Sequence, residues 1–257
     1  MNKKKTEMNH LNVKTALVVI FIFSLGLYSG AIFFTEVDAE TIQMITQPPI
    51  EKEVLYLDSP NSLTINLPAV NGNDTGVTAF LEVDVKSGSG LILVNVGNII
   101  TNFDTQASMR SAAEIASDYL NKSLEEVDIT YNLVADASML EGPSAGAAFT
   151  IATVLALTGS DINDTVMITG TINHDGSIGP AGRIKEKAIA SKEIGTELFL
   201  VPVGEAYEYN ETEFCSDYGI FKNYCQPELV PVKIEDLAEI KVVEVSDLGE
   251  ALEYFRA

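Results

Sequence analysis

The stretch Gly142-Pro143-Ser144-Ala145-Gly146, followed by the apolar run Ala147–Leu157, decides how this 257-residue sequence is interpreted. The run predicts a helix that includes Ser144 and ends near Leu157, and the proline suits its first position, where a missing N–H costs nothing. Gly142 and Gly146 allow a close approach of the backbone to a ligand. The Ser144 hydroxyl would then lie at the positive end of a helix dipole, which favours a nucleophile, although the same stretch is also an acceptable helix cap.

A second segment, Gly182-Arg183-Ile184-Lys185-Glu186-Lys187, opens a helix predicted over Arg183–Ile194. Lys187 shares its face with small and apolar residues, whereas Lys185 lies on the polar side. Burial lowers the pKa of a lysine, so a neutral Lys187 amine is the better base for a serine nucleophile. Thr169, on a predicted strand between the two segments, offers a hydroxyl to hold that amine. The ordinary alternative is a pair of solvated helix lysines.

These motifs carry a family resemblance. From about Ala69-Val70-Asn71-Gly72 to the C-terminus, the chain resembles the proteolytic domain of Lon proteases, peptidase family S16, especially the archaeal membrane-bound type. The resemblance implies a Ser144–Lys187 catalytic dyad, with Thr169 orienting the lysine and with Glu141 and Gly142 as supporting residues. It also implies a homo-oligomer, because domains of this family commonly assemble as rings. Arg183 departs from the glycine pair common in the family.

Helices and strands alternate along the chain, which predicts a mixed α/β, or α+β, fold. Thr78–Lys86 alternates apolar with polar residues, and with Gly90–Val96 it predicts a β-hairpin across a glycine–serine turn. An amphipathic helix is expected over Thr105–Leu120. Further strands are predicted at 127–134, 165–172, 197–203 and 240–245, a turn at 174–176, and a closing helix at 246–255.

The N-terminal segment is predicted to be a membrane anchor. Thr15–Thr35 is a run of 21 uncharged residues, long enough at about 1.5 Å per residue to cross a hydrocarbon layer of about 30 Å. Lysines in the preceding tail, residues 1–14, predict a cytoplasmic N-terminus and an extracytoplasmic remainder. Val37-Asp38-Ala39 leaves open a cleaved signal peptide and secretion. Residues 36–62 are expected to form a stalk or linker, and 63–257 the protease domain.

Cys215 and Cys225 lie in a segment, residues 205–239, that is the least regular of the sequence and is interpreted as an insertion. An extracytoplasmic location permits them to form a disulfide. A zinc site is poorly supported, because the only histidines are His10 and His174. Four glycosylation sequons fit an exported domain but also recur by chance: Asn73, Asn121, Asn163 and Asn210.

Net charge and missing motifs exclude several classes of function. The net charge of −21 opposes nucleic-acid binding. No P-loop motif occurs in the 257 residues, and no cofactor or metal is expected. The sequence therefore predicts an ATP-independent, membrane-anchored serine endopeptidase that acts on exported or unfolded polypeptides. Two alternatives remain: an inactive Lon-like binding or assembly module at the membrane, and an esterase of the α/β-hydrolase type that would use His174.

Overall fold

The computed structural model describes residues 17–26, 52–97, 99–135, 139–140 and 142–257. The chain divides into two compact units, Met1–Glu51 and Lys52–Ala257. Residues 17–26 of the first unit form an exposed helix. Within the described ranges, no helix is both long and apolar enough to span a membrane. The predicted tail, the rest of the predicted anchor and the first part of the predicted linker lie outside the described residues.

The second unit holds the elements that build the site. Its strands are β1 (Glu53–Val54), β2 (Asn61–Val70), β3 (Gly76–Ser87), β4 (Ile92–Asn95), β5 (Ile100–Thr101), β6 (Lys122–Ser123), β7 (Val127–Ala135), β8 (Met139–Leu140), β9 (Val166–Ile168), β10 (Thr171–Ile172), β11 (Ile178–Gly179), β12 (Leu198–Pro202), β13 (Tyr207–Tyr218), β14 (Phe221–Lys233) and β15 (Lys241–Val245). Its helices are α1 (Phe103–Leu120), α2 (Gly146–Thr158), α3 (Ile184–Glu193), α4 (Ile234–Ala238) and α5 (Leu248–Phe255). The architecture is mixed α/β, as predicted.

This unit begins at Lys52, earlier than the predicted domain start at residue 63. Strand β1 pairs in parallel with β6, and Lys52 forms an ion pair with Asp118 on α1. The last part of the predicted linker, residues 52–62, is therefore attached to the domain by backbone and side-chain contacts.

A four-stranded sheet with the order β2-β3-β7-β4 forms one layer. Strands β2, β3 and β7 are antiparallel neighbours, and β4 runs parallel to β7. Alternate side chains of each long strand are buried, as expected for a sheet with one covered face. Those buried on β7 are Val127, Ile129, Tyr131 and Leu133.

The predicted hairpin between residues 78–86 and 90–96 is wrong, because β7 lies between β3 and β4. The reason is a side chain from β7. The Asp128 carboxylate accepts the backbone N–H groups of Ser89 (2.8 Å) and Leu91 (3.0 Å), and these bonds lower the Asp128 pKa. These bonds hold the loop between β3 and β4 against β7, so that β4 pairs with β7 and not with β3.

Helix α2 is the centre of the core. Every residue from Gly146 to Leu157 is buried, and the helix contacts α1, α5 and the sheet strands β2 and β3. Its buried threonine Thr153 bonds the Tyr131 hydroxyl at 2.7 Å. The C-terminal cap, Gly159, has φ 63°, a conformation that glycine adopts without penalty. A helix apolar all round belongs in the interior, and the sequence predicted this one.

A three-stranded parallel sheet, β15-β12-β9, forms the second layer. It carries α3 on one side through a small apolar cluster that includes Ile184, Ala188 and Phe199. Strand β9 is shorter than the predicted strand over 165–172, because the chain bends at Thr169-Gly170 before the β10–β11 hairpin. Helix α2 contacts β9 and β10 on either side of this bend, and α3 contacts β12, the neighbour of β9.

The segment 205–239 is regular, contrary to prediction. It forms a long antiparallel hairpin, β13–β14, followed by α4. Cys215 and Cys225 lie opposite each other in the two strands and are joined by a disulfide. Nearly all of the hairpin is exposed on both faces. The apolar alternation that identifies a half-buried strand is therefore missing from its sequence.

Candidate active site

Ser144 lies in the turn that enters α2, not in the helix itself. The helix begins at Gly146, and the N–H of Gly146 bonds the carbonyl of Pro143 (3.0 Å). The carbonyl of Ser144 accepts the Gly170 N–H (2.8 Å), and the Gly170 carbonyl accepts the Ala147 N–H (3.1 Å). The predicted helical position of Pro143 is therefore wrong. These two bonds fix the serine loop against the chain bend that follows β9.

Close packing at this bend requires glycine. Gly170 has φ +150°, and a Cβ there would lie 2.6 Å from a side-chain carbon of Ile178. A Cβ on Gly146 would lie 3.0 Å from a side-chain carbon of Ile172. The motif glycines thus allow the serine loop and the bend to approach each other, as expected for glycine at a backbone contact.

Lys187 reaches the serine from α3. Its Nζ donates to Ser144 Oγ (2.7 Å) and to Thr169 Oγ1 (3.0 Å). The lysine is only 2 % exposed and Thr169 is completely buried. Ser144, Thr169 and Lys187 are therefore brought together, as the sequence predicted for these three residues.

Burial lowers the pKa of Lys187 to about 8, and the charge of Glu205 opposes that shift. A buried ammonium loses hydration, so removal from water favours the neutral amine. Lys185 behaves differently. Its Nζ donates to Glu208 (2.8 Å), and that bond raises its pKa. The structure therefore separates the two lysines as the helical face predicted.

Two backbone donors lie next to the Ser144 hydroxyl. In the part of the chain that the structure describes, the N–H groups of Ser144 and Ala145 have no hydrogen-bond partner. Helix α2 also begins without a side-chain cap. Uncapped N–H groups at a helix N-terminus attract negative charge, so these donors suit an oxyanion.

A cavity of about 320 Å³ opens onto the serine. Its walls come from the end of β2, the serine loop, the start of α2 and the loop before α3. Most of its lining is apolar, including Leu67, Val70, Leu133 and Phe149. No residue of the β2 wall was predicted from the sequence to belong to the site, although the family resemblance begins at that strand. A cavity of this kind accepts an apolar side chain next to the reacting group.

Arg183 lies on the rim of the cavity and has φ 59°, the left-handed conformation that usually requires glycine. Its guanidinium bonds Asp74 Oδ2 at 2.7 Å, and both side chains are more than half exposed. Asp74 belongs to the β2–β3 turn and also has a positive φ, 59°. This ion pair links the loop before α3 to the β2–β3 turn.

The other predicted supporting residues are less defined. Gly142 has φ +102° and its carbonyl accepts the Thr105 hydroxyl (3.3 Å), so it holds the serine loop to α1. Glu141 lies outside the described residues. His174 is exposed in the β10–β11 turn. Because Lys187 rather than a histidine bonds the serine, the geometry does not fit the α/β-hydrolase alternative.

The described residues around Ser144 do not offer a cluster of metal ligands. Among the described residues, only Glu213, Cys215 and Cys225 have the spacing of a ligand cluster. Both cysteines are in the disulfide, and a metal requires the free thiolate. The cluster therefore does not fit a metal.

A serine hydroxyl bonded to a buried lysine beside an apolar cleft is an arrangement suited to a serine hydrolase with a lysine base. Comparison with known proteins identifies a family. The family model of the Lon protease (S16) C-terminal proteolytic domain matches residues 74–213. The chain belongs to this family.

Related proteins are longer than this chain. A Lon protease of Methylocella silvestris is 31 % identical over 180 residues, covering 67 % of this chain and 22 % of the relative. For a Lon protease of Lawsonia intracellularis the identity is 31 % over 141 residues, with 53 % and 17 % covered. A mitochondrial Lon protease homolog of Drosophila melanogaster is 29 % identical over 136 residues, with 51 % and 13 % covered. The match thus spans about a fifth or less of each relative.

Proposed function

We propose that this chain is a serine endopeptidase in which Ser144 is the nucleophile and Lys187 the general base. The observation that carries the proposal is the 2.7 Å hydrogen bond between Lys187 Nζ and Ser144 Oγ in a position where the lysine is almost fully buried. Membership of the Lon proteolytic-domain family supports peptidase chemistry.

In the proposed mechanism, the neutral Lys187 amine removes the Ser144 hydroxyl proton as the oxygen attacks a peptide carbonyl carbon. The N–H groups of Ser144 and Ala145 donate hydrogen bonds to the carbonyl oxygen and so stabilise the negative charge that develops on it. The Lys187 ammonium then gives its proton to the leaving amine, and the C–N bond breaks. A water molecule attacks the acyl-enzyme, Lys187 takes its proton, and the acid product leaves as that proton returns to Ser144.

The pKa of Lys187, about 8, sets the fraction of enzyme that can start this cycle. At pH 7 roughly one molecule in ten carries the neutral amine, and at pH 9 roughly nine in ten do. Thr169 accepts a hydrogen bond from the amine, so it keeps the nitrogen directed at the serine. The titration of Lys187 therefore predicts a rate that rises with pH, reaches half its maximum near pH 8 and levels off above about pH 9.

We further propose that the substrates are unfolded or exported polypeptides, cleaved without ATP. The apolar lining of the cleft supports a side chain such as leucine next to the scissile bond. The absence of a P-loop motif from the 257 residues supports cleavage by this chain without nucleotide. Assembly into a homo-oligomer is part of the proposal through the family resemblance alone.

The N-terminal segment is proposed to anchor the protein in the cell membrane, with the protease domain extracytoplasmic. The uncharged run Thr15–Thr35 and the lysines before it support this orientation. Extraction of membranes with alkaline carbonate tests the anchor. Retention in the pellet supports it, and release of a shortened protein supports the cleaved signal peptide instead.

The experiment for the catalytic proposal compares the purified full chain with Ser144→Ala, Lys187→Ala and Lys185→Ala on an unfolded protein, with and without ATP. We expect wild type and Lys185→Ala to cleave equally in both conditions, and the other two variants to lose at least about a thousandfold in rate. Circular dichroism verifies that each variant is folded. Cleavage by all four proteins would refute the assignment, and cleavage by none would favour a binding module.

A further inference from the structure

We propose that Glu205 is a positioning residue of this site, which fixes one wall of the cleft and acts electrostatically on the lysine base. The inference rests on the proposed function, because it concerns how the Ser144–Lys187 pair is prepared for its reaction. Glu205 follows β12, in a turn closed by its own N–H on the Pro202 carbonyl (3.1 Å). Gly204 permits the turn through its φ of +87°.

The first contact of the Glu205 carboxylate is with the backbone of the cleft. Its Oε2 accepts the Ala181 N–H at 3.0 Å, in a partly buried environment. Ala181, with Pro180 and Gly182, forms the wall of the cavity that contains the serine. A hydrogen bond to an ionised acceptor is stronger than one between neutral groups. Glu205 therefore anchors the loop that leads into α3, and α3 is the helix that carries Lys187.

The second action of Glu205 is through its charge. Burial lowers the pKa of Lys187, and the negative charge of Glu205 raises it. Within the described ranges, Glu205 forms no ion pair with any cation. Its charge is therefore not neutralised locally and remains available to act on the lysine.

Charged groups near the start of α3 form ion pairs that do not include Glu205. Lys185 lies 2.8 Å from Glu208 at the base of the hairpin and 3.7 Å from Glu186 on its own helix. Arg183 at the start of the helix is paired with Asp74 from the β2–β3 turn. Lys185 is shared by two carboxylates, but the charge that raises the pKa of Lys187 is that of Glu205.

The negative charge of Glu205 would assist the proton transfer in the proposed reaction. Proton transfer from serine to lysine creates a positive charge in a buried site, and burial alone opposes it. The Glu205 carboxylate offsets part of that cost without touching the amine. It thus favours the protonated state that must then donate to the leaving group.

Two substitutions separate the two actions of this residue. Glu205→Gln keeps an oxygen that can accept the Ala181 N–H and removes the charge. Glu205→Ala removes both. Glu208→Gln is the matched control, since Glu208 lies in the neighbouring cavity but bonds Lys185. All are made in the full chain and assayed with a fluorogenic peptide between pH 6 and 10.

For Glu205→Gln we expect the midpoint of the acid limb of kcat/KM to fall by about half a pH unit, with KM unchanged. For Glu205→Ala we expect the same fall, together with a KM that increases roughly three- to tenfold because the cleft wall loses its anchor. The control should keep the wild-type midpoint and KM. An unchanged or raised midpoint in Glu205→Gln would overturn the electrostatic part, and an unchanged KM in Glu205→Ala the positioning part.

A measurement that does not need cleavage separates this inference from the proposed function. NMR of protein with ¹³C-labelled lysine follows the titration of Lys187, assigned as the resonance missing from Lys187→Met. A lower midpoint in Glu205→Gln supports the action of Glu205 even if no Ser144-dependent cleavage is found, which would refute only the proposed function. An unchanged midpoint in an active enzyme refutes the electrostatic part of the inference and leaves the proposed function intact. If Glu205→Ala does not fold, Glu205→Gln tests the electrostatic part, and Glu205→Met, which fills a similar volume without an acceptor for the Ala181 N–H, tests the positioning part through KM.

Discussion

Replacing Lys187 by methionine should abolish cleavage and yet stabilise the fold at neutral pH. The side chain is 2 % exposed, and its pKa is about 8 instead of the usual 10.5. This difference means that, below pH 8, keeping the ammonium in the folded protein costs about 3 kcal/mol. Methionine fills a similar volume and carries no charge. Loss of the two hydrogen bonds to Ser144 and Thr169, worth about 1 kcal/mol each, leaves an expected gain of about 1–2 kcal/mol.

The gain should depend on pH with a definite sign. Between pH 8 and 10.5 the unfolded wild type binds a proton at this lysine that the folded protein does not, so wild-type stability rises with pH in that window. The methionine variant has no such dependence. Its advantage over wild type should therefore be largest below pH 8 and should shrink as the pH approaches 10.

Urea unfolding of the full chain at pH 6.5, 8 and 9.5 measures this difference. Lys185→Met is the matched control on the same helix. Lys185 is 33 % exposed and ion-paired, so its loss should cost between about 0 and 1 kcal/mol and bring no gain. A Lys187→Met variant that is less stable than wild type at pH 6.5, or whose difference is the same at every pH, would refute the claim that burial opposes the lysine charge.

Three further substitutions have defined outcomes. Thr169→Val removes a hydrogen-bond acceptor of the Lys187 amine, and we expect kcat to fall about tenfold with little change in KM, measured by steady-state kinetics. Gly170→Ala places a Cβ 2.6 Å from a neighbouring side-chain carbon at φ +150° and should cost about 2–3 kcal/mol of unfolding free energy in urea. Arg183→Gly relieves a residue at φ 59° and loses only an exposed ion pair. Its unfolding free energy should stay unchanged or rise by about 1 kcal/mol, and a clear loss would show that the pair with Asp74 matters more than exposed pairs usually do.

The catalytic geometry was predictable because its signals are local. The unbroken apolar run after Ser144 predicted a buried helix, and the small-residue face around Lys187 predicted a helix with one buried side; the structure contains both. Thr169 was found through its place on the strand between them. The sequence pattern is informative here because the buried positions that surround Ser144 and Lys187 are occupied by apolar or small residues, which can be recognised in the sequence.

The errors arose where distant residues decide the structure. Asp128 binds a loop far from it in sequence, and its strand β7 lies between two strands that the sequence pattern had paired with each other. Glu205 and the β2 wall of the cleft reach the site only through tertiary packing. The β13–β14 hairpin has no buried face, so it lacks the alternation by which strands are recognised.

The burial of α2 along its whole length affects how this protein can be changed by mutation. Because Ser144 lies at the entrance of this enclosed helix, a substitution in that helix disturbs the core and the serine together. Evolution and protein engineering therefore have little freedom on this side of the cleft. New substrate preferences are more accessible through the opposite rim, where Arg183 and Asp74 meet in solvent.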